Sequence, residues 1–232
     1  MASEQYLKFE WNSQTLHGWG GPIHLPNHTY SNIIRLSLAG ETIHGLPDQI
    51  ILKKQGDRPE LFQTEQTFYK NEKGLQDGGF VPQYHGLARI DGEEALVLSD
   101  LGGTMMHDNP SLAKDENALR EKLTELLTAI RQAGVVHEDI TVLNVLHCAD
   151  SRFRLVDFEE ATIYQPVDEA EIKDGVAVQV EELVGIMKGR HKAEMSTRRW
   201  ESGYAIPMQH EALRRPNLSA ALNAVNFRST AC

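Results

Sequence analysis

Two short stretches in the middle of the sequence carry oxygen-bearing side chains beside apolar runs. Asp139 and Asn144 lie in Val135-Val136-His137-Glu138-Asp139-Ile140-Thr141-Val142-Leu143-Asn144-Val145-Leu146, and Asp157 lies in Phe153-Arg154-Leu155-Val156-Asp157-Phe158-Glu159. Taken singly, Asp and Asn are common turn and capping residues. Their joint spacing, each beside an apolar run, marks them for chemistry. Carboxylate and amide oxygens are hard donors of the kind Mg²⁺ takes. Phosphoryl transfer asks for such positioning and charge neutralisation more than for covalent help.

The elements that must hold these residues follow from pattern. Ser31 to Leu38 and Gln49 to Lys54 are β-rich runs punctuated by Ala39-Gly40 and by Gly45-Leu46-Pro47-Asp48, and read as neighbouring antiparallel strands. Arg58 to Asn71 reads as a helix, with Leu61, Phe62, Glu65, Phe68 and Tyr69 on one face and Pro59 in its first turn. Leu87 to Ile90 and Ala95 to Leu98 form a strand pair around Asp91-Gly92, so the first hundred residues run strand, strand, helix, strand, strand. Beyond Leu101-Gly102-Gly103 the character becomes helical. Asp115 to Ala133 carries the stripe Leu119, Leu123, Leu126, Leu127 and Ile130 and stops at Gly134, and a second helix runs from about Val176 to Lys188.

The two chemical stretches resemble the protein-kinase-like superfamily, including its aminoglycoside and choline phosphotransferases. His137 to Asn144 is similar to the catalytic loop H-x-D-x-x-x-x-N, and Asp157-Phe158-Glu159 to the metal-binding D-F-G turn. The resemblance spans roughly residues 20 to 190. It implies an α+β, two-lobed protein-kinase-like fold: a β-rich N-lobe with one helix over residues 1–101 and a mainly helical C-lobe over 102–232. It implies that Asp139 is the catalytic residue, orienting or accepting the proton of an attacking hydroxyl, and that Asn144 and Asp157 hold Mg²⁺ against ATP. Lys53, in a strand similar to V-A-I-K, is implied to grip phosphate, with Lys54 its competitor, because strand alternation turns only one of the two inward. Glu65 resembles the helical glutamate that pairs with this lysine, Glu60 being the alternative. Ser99 and Leu101, in Leu96-Val97-Leu98-Ser99-Asp100-Leu101-Gly102, resemble the hinge whose backbone binds adenine. The family's analogue of His137 is structural.

Departures from the family narrow the function. No G-x-G-x-x-G precedes Lys53; His17-Gly18-Trp19-Gly20-Gly21-Pro22 and the nearer Asn27-His28-Thr29-Tyr30-Ser31-Asn32 are the segments available to cover phosphates, and the nearer is favoured. Glu138 stands where many protein kinases carry the arginine that reads a phosphorylated loop, Glu159 replaces the D-F-G glycine, and no A-P-E follows. The expected activity is an ATP- and Mg²⁺-dependent phosphotransferase acting on the hydroxyl of a small molecule. The alternatives are a pseudokinase or nucleotide-binding scaffold, and an atypical protein kinase like that of the tRNA threonylcarbamoyladenosine machinery, to which Glu171 to Val178 bears a likeness.

Composition sets the outer limits. A formal net charge of −10 argues against nucleic acid as the main partner, because that binding needs a basic face. Lys188-Gly189-Arg190-His191-Lys192 with Arg198-Arg199 reads as a solvated surface. No 18-residue apolar run and no signal-like N-terminus is present, and the two cysteines, Cys148 and Cys232, do not make a disulfide framework. A cytoplasmic protein, nuclear not excluded, is expected, with a protein partner possible. The histidines show no zinc-ligand spacing, so the only metal expected is nucleotide-bound.

Overall fold

The computed structural model describes residues 5–25, 28–39, 43–164 and 168–201, the side chains of 24, 25, 28–30 and 196–201 excepted. Asn27 of the proposed phosphate-covering segment and residues 202–232, with Cys232, lie outside the described residues, as do the side chains of Arg198 and Arg199. The chain divides into a unit of Met1–Met195 and a second of Ser196–Cys232.

Six strands are formed by β1 (Gln5–Trp11), β2 (Gln14–Leu25), β3 (His28–Leu38), β4 (Gln49–Lys54), β5 (Tyr84–Ile90) and β6 (Glu93–Ser99). They pair antiparallel in the order β1-β2-β3-β4-β6-β5, and β1 returns to β5 through Glu10↔Arg89 and Trp11↔Ala88, closing a barrel. Both tight hairpins place two residues at positive φ, Asn12-Ser13 between β1 and β2 and Asp91-Gly92 between β5 and β6. That geometry matches the twist of the flanking strands. Period-2 alternation then sends Phe9, Trp11, Leu16, Ile34, Leu36, Ile50 and Leu52 into one core inside the barrel. In β2, a Cβ on Gly20 would lie 1.9 Å from the Arg35 carbonyl oxygen and one on Gly18 2.9 Å from that of Ser37, so the β2–β3 approach requires glycine at both.

A second core lies outside the barrel. Helix α1 (Pro59–Asn71), the short α2 (Lys73–Asp77), α3 (Glu116–Gln132) and α4 (Glu169–Glu201) contribute Phe62, Phe68 and Leu75, the α3 stripe, and Val176, Val180, Leu183, Val184 and Met187. Strand β6 is the wall between the two cores, since Ala95 and Val97 face the barrel while Leu96 and Leu98 face the helices. This explains its unbroken apolar run. At the start of α3, Asp115 accepts the Ala118 N–H at 3.0 Å as an N-cap, and Gly134, at φ +75°, ends the segment.

The expected two-lobed kinase-like fold with a mainly helical C-lobe is corrected by this architecture, which is mixed α+β around a closed six-stranded antiparallel barrel. After residue 101 the helices are joined by short strands: β7 (Thr104–Met105), β9 (Val145–His147) and β10 (Phe153–Leu155) form one sheet, and β8 (Val135–His137) pairs with β11 (Ala161–Ile163). The physical reason is twofold. Strand β2 is rich in Gly and polar residues and, like β1, carries few β-branched residues, so the barrel-closing hairpin gives little signal of its own; strands of two or three residues are too short to show a period. His17 to Pro22, one of the two segments considered for covering phosphates, is the middle of β2, paired with β3.

Candidate functional site

Lys53 reaches the site because β4 alternates. Ile50 and Leu52 fill the barrel, which turns Ile51 and Lys53 toward α1, while Lys54 goes to the other side and pairs with Glu93. One turn pattern on α1 buries Phe62, Glu65, Gln66, Phe68 and Tyr69 together. Glu65 is thereby aimed at the β4 lysine, and its Oε2 lies 2.6 Å from Lys53 Nζ, with the two side chains 1% and 7% exposed. Glu60, on the exposed side of α1, does not reach it.

The Asp157 turn closes the cluster from the opposite side. Lys53 Nζ donates to Asp157 Oδ1 at 2.6 Å, and Glu159 Oε1 stands 3.1 Å from the same nitrogen. Glu65 Oε1 accepts the Phe158 N–H at 3.1 Å, which fixes α1 to this turn. The Phe158 ring stacks on Phe68 at 3.7 Å and meets His137 edge-on at 4.9 Å, so the residue between the two carboxylates is an apolar anchor. Asp157 itself holds φ +69°, a left-handed conformation that Asp tolerates better than most residues.

Carboxylate oxygens of Glu65, Asp157 and Glu159 lie within 4.8 Å of one another, a spacing that suits a cation. The cation there is the Lys53 ammonium, which contacts all three. Burial works to lower the Lys53 pKa, but the charges of Glu65, Asp157 and Glu159 together outweigh it and hold the ammonium above its ordinary value. Burial pushes the Glu65 carboxyl up, against the pull of Lys53 and the Phe158 N–H. Burial also drives the Tyr69 hydroxyl up, reinforced by Glu65 and Asp157.

On the loop between β8 and β9, Asn144 Nδ2 donates to the Asp139 backbone oxygen at 2.9 Å and to Asp139 Oδ2 at 3.0 Å. The amide nitrogen is thus committed to Asp139, which assigns the amide oxygen of Asn144 to any ligand. Backbone bonds set the loop beside the Asp157 turn: Asn144 N–H to Thr141 O at 3.1 Å and Val156 N–H to Asn144 O at 3.0 Å. His137 supports the same turn, its Nε2 lying 3.2 Å from Val156 O, and burial lowers its pKa, so it sits as neutral imidazole.

These elements enclose a cavity of about 320 Å³, within the range of small-molecule sites. Of the residues expected from sequence, Lys53, Glu65, Ser99, Leu101, Asn144 and Asp157 line it; Asp139 stands next to the wall, joined to it through Asn144. Apolar lining comes from Ile23, Ile33, Ile51, Leu98, Leu146 and Val156. In the β6–β7 link, the Ser99 N–H is already bonded to Gln83 O at 2.9 Å and so does not serve a ligand, whereas among the described residues the Leu101 N–H meets no acceptor. Beyond the expected residues, Arg35 and Asp100 pair at 2.7 Å along the cavity wall, and next to the lysine cluster the Arg58 Nη2 lies 3.3 Å from Glu159 Oε2. Arg35–Asp100 joins partners 65 residues apart and Arg58–Glu159 partners 101 apart, so no local signal in the sequence announces either. Among the described residues no helix is long and apolar enough to cross a membrane. No known family model matches this chain, and no curated protein sequence matches it.

Proposed function

We propose that the chain is a phosphotransferase that binds ATP with Mg²⁺ in the cavity and moves the γ-phosphate to a hydroxyl of a small acceptor. One observation carries this reading: an oriented ammonium from Lys53 meets two oxygen donors, Asn144 and Asp157, from more than ninety residues further along the chain at one largely apolar cavity, with the Asp139 carboxylate beside it. Asp157 and Asn144 supply the hard oxygens for the metal, which when bound neutralises phosphate charge. Lys53, steadied by Glu65, binds phosphate oxygens, and the apolar lining with the Leu101 N–H suits a purine. Asp139, exposed and tied to Asn144, orients the acceptor hydroxyl and takes up its proton. The free, buried Cys148 agrees with a reducing compartment such as the cytoplasm.

The test is transfer from γ-labelled ATP, with Mg²⁺, to a panel of alcohol-bearing metabolites. The wild type is expected to label an acceptor, and Asp139→Asn to slow transfer by about 10²- to 10⁴-fold. Equal rates remove Asp139 from the chemistry. A second reading, a nucleotide-binding protein without transfer, draws on one feature, the three carboxylates around Lys53. It predicts ATP binding with no labelled product from any acceptor.

A further inference from the structure

A lysine ammonium has three N–H donors. At Lys53 three carboxylates stand within hydrogen-bonding distance of Nζ: Glu65 Oε2 at 2.6 Å, Asp157 Oδ1 at 2.6 Å and Glu159 Oε1 at 3.1 Å. Lys53 Nζ donates to Asp157 and holds the other two as ion pairs, so a phosphate oxygen reaching this ammonium competes with all three carboxylates. The three differ in how readily they leave. Glu65 is 1% exposed and also bonded to the Phe158 N–H, so unpairing it would strand a buried charge. Asp157 is 39% exposed and turns to water or a divalent ion at small desolvation cost. Glu159 has a second cation within reach, since its Oε2 faces the Arg58 guanidinium at 3.3 Å on a side chain that is 65% exposed and able to follow it outward.

We propose, building on the nucleotide reading above, that Glu159 sets the phosphate affinity of the site by competing for Lys53 and passing to Arg58 when phosphate arrives. Glu159 thus acts through Lys53 as a positioning residue. The competition is specific to phosphate. A ligand with no phosphate does not need the ammonium and is indifferent to Glu159, whereas each ligand that does contends with this carboxylate for it. Arg58 makes the shift easier, because Glu159 then exchanges one cation for another instead of leaving an ion pair for water.

Calorimetric titration of adenosine, Mg·ADP and Mg·ATP into the wild type, Glu159→Gln and Arg58→Ala separates these effects. Glu159→Gln keeps the side-chain shape and removes the charge. It is expected to tighten both nucleotides by about tenfold and to leave adenosine unchanged. Arg58→Ala is expected to weaken both nucleotides a few-fold, again sparing adenosine. If the wild type binds nucleotide and Glu159→Gln binds it equally or more weakly, the competition is overturned. A wild type that binds none of the three overturns the nucleotide reading instead. The Glu159 contact is then decided without nucleotide, by the acylation rate of Lys53 measured by mass spectrometry: several-fold faster labelling in Glu159→Gln supports it, and equal rates overturn it.

Discussion

The Lys53 cluster and the Asp139 loop are held in opposite ways. Lys53 and Glu65 are buried against α1 and the Phe158 ring, with every charged atom facing an opposite charge or a backbone N–H. Asp139 is exposed, and its carboxylate and backbone oxygen are held at the surface by the Asn144 amide. The fold depends on the first pair and only presents the second. A buried ion pair contributes little net stability when intact but leaves an uncompensated charge when halved, whereas an exposed pair is solvated either way.

Halving the buried pair should have the largest effect on folding. Lys53→Ala is expected to lower stability by about 3–5 kcal/mol in urea denaturation, and Lys53→Met with Glu65→Leu to recover much of it, because the pair is then replaced rather than broken. Asp139→Asn in the same assay should stay within about 0.5 kcal/mol of wild type. A Lys53→Ala protein as stable as Asp139→Asn would erase the contrast between the two regions.

His137 joins them, packing on Phe158 beside the lysine cluster and preceding Asp139 in the chain. Burial lowers its pKa, so as pH falls the unfolded chain takes up this proton before the folded one. Its stabilising contribution is whole above the ordinary histidine value of 6.5 and is lost as pH drops through the lowered folded value. His85 and His147, also lowered by burial, act in the same direction. The urea midpoint should therefore fall between about pH 7.5 and about pH 5.5, less steeply in His137→Gln. An equally steep fall in that variant would remove His137 from the link.

The sequence was most legible where one face is apolar and the other wet. The α1 and α3 stripes, the β3–β4 pair and the Asp91-Gly92 hairpin appear within about three residues of their expected bounds. The choice of Lys53 over Lys54 needed only strand alternation to be resolved. Helix α4 is much longer than the expected Val176 to Lys188, because its apolar stripe, Val176 to Met187, covers only the turns that reach the core. What stayed hidden was set by non-local contacts. The barrel closes through β1 and a glycine-bearing β2 whose residues signal turns when read alone, and Arg35–Asp100 and Arg58–Glu159 are visible only once the chain is folded. Glu159 stands out in the sequence only as a replacement for a glycine; its contact with Lys53 depends on how the Asp157 turn meets β4.

The most direct measurement is calorimetric titration of ATP into the wild type and Asp157→Ala, each with and without Mg²⁺. Mg²⁺ is expected to tighten ATP binding to the wild type by tenfold or more, on the order of 1.4 kcal/mol, and Asp157→Ala to abolish this gain. Binding in Asp157→Ala that still responds to Mg²⁺ as the wild type does, or no ATP binding by the wild type at all, would contradict this expectation.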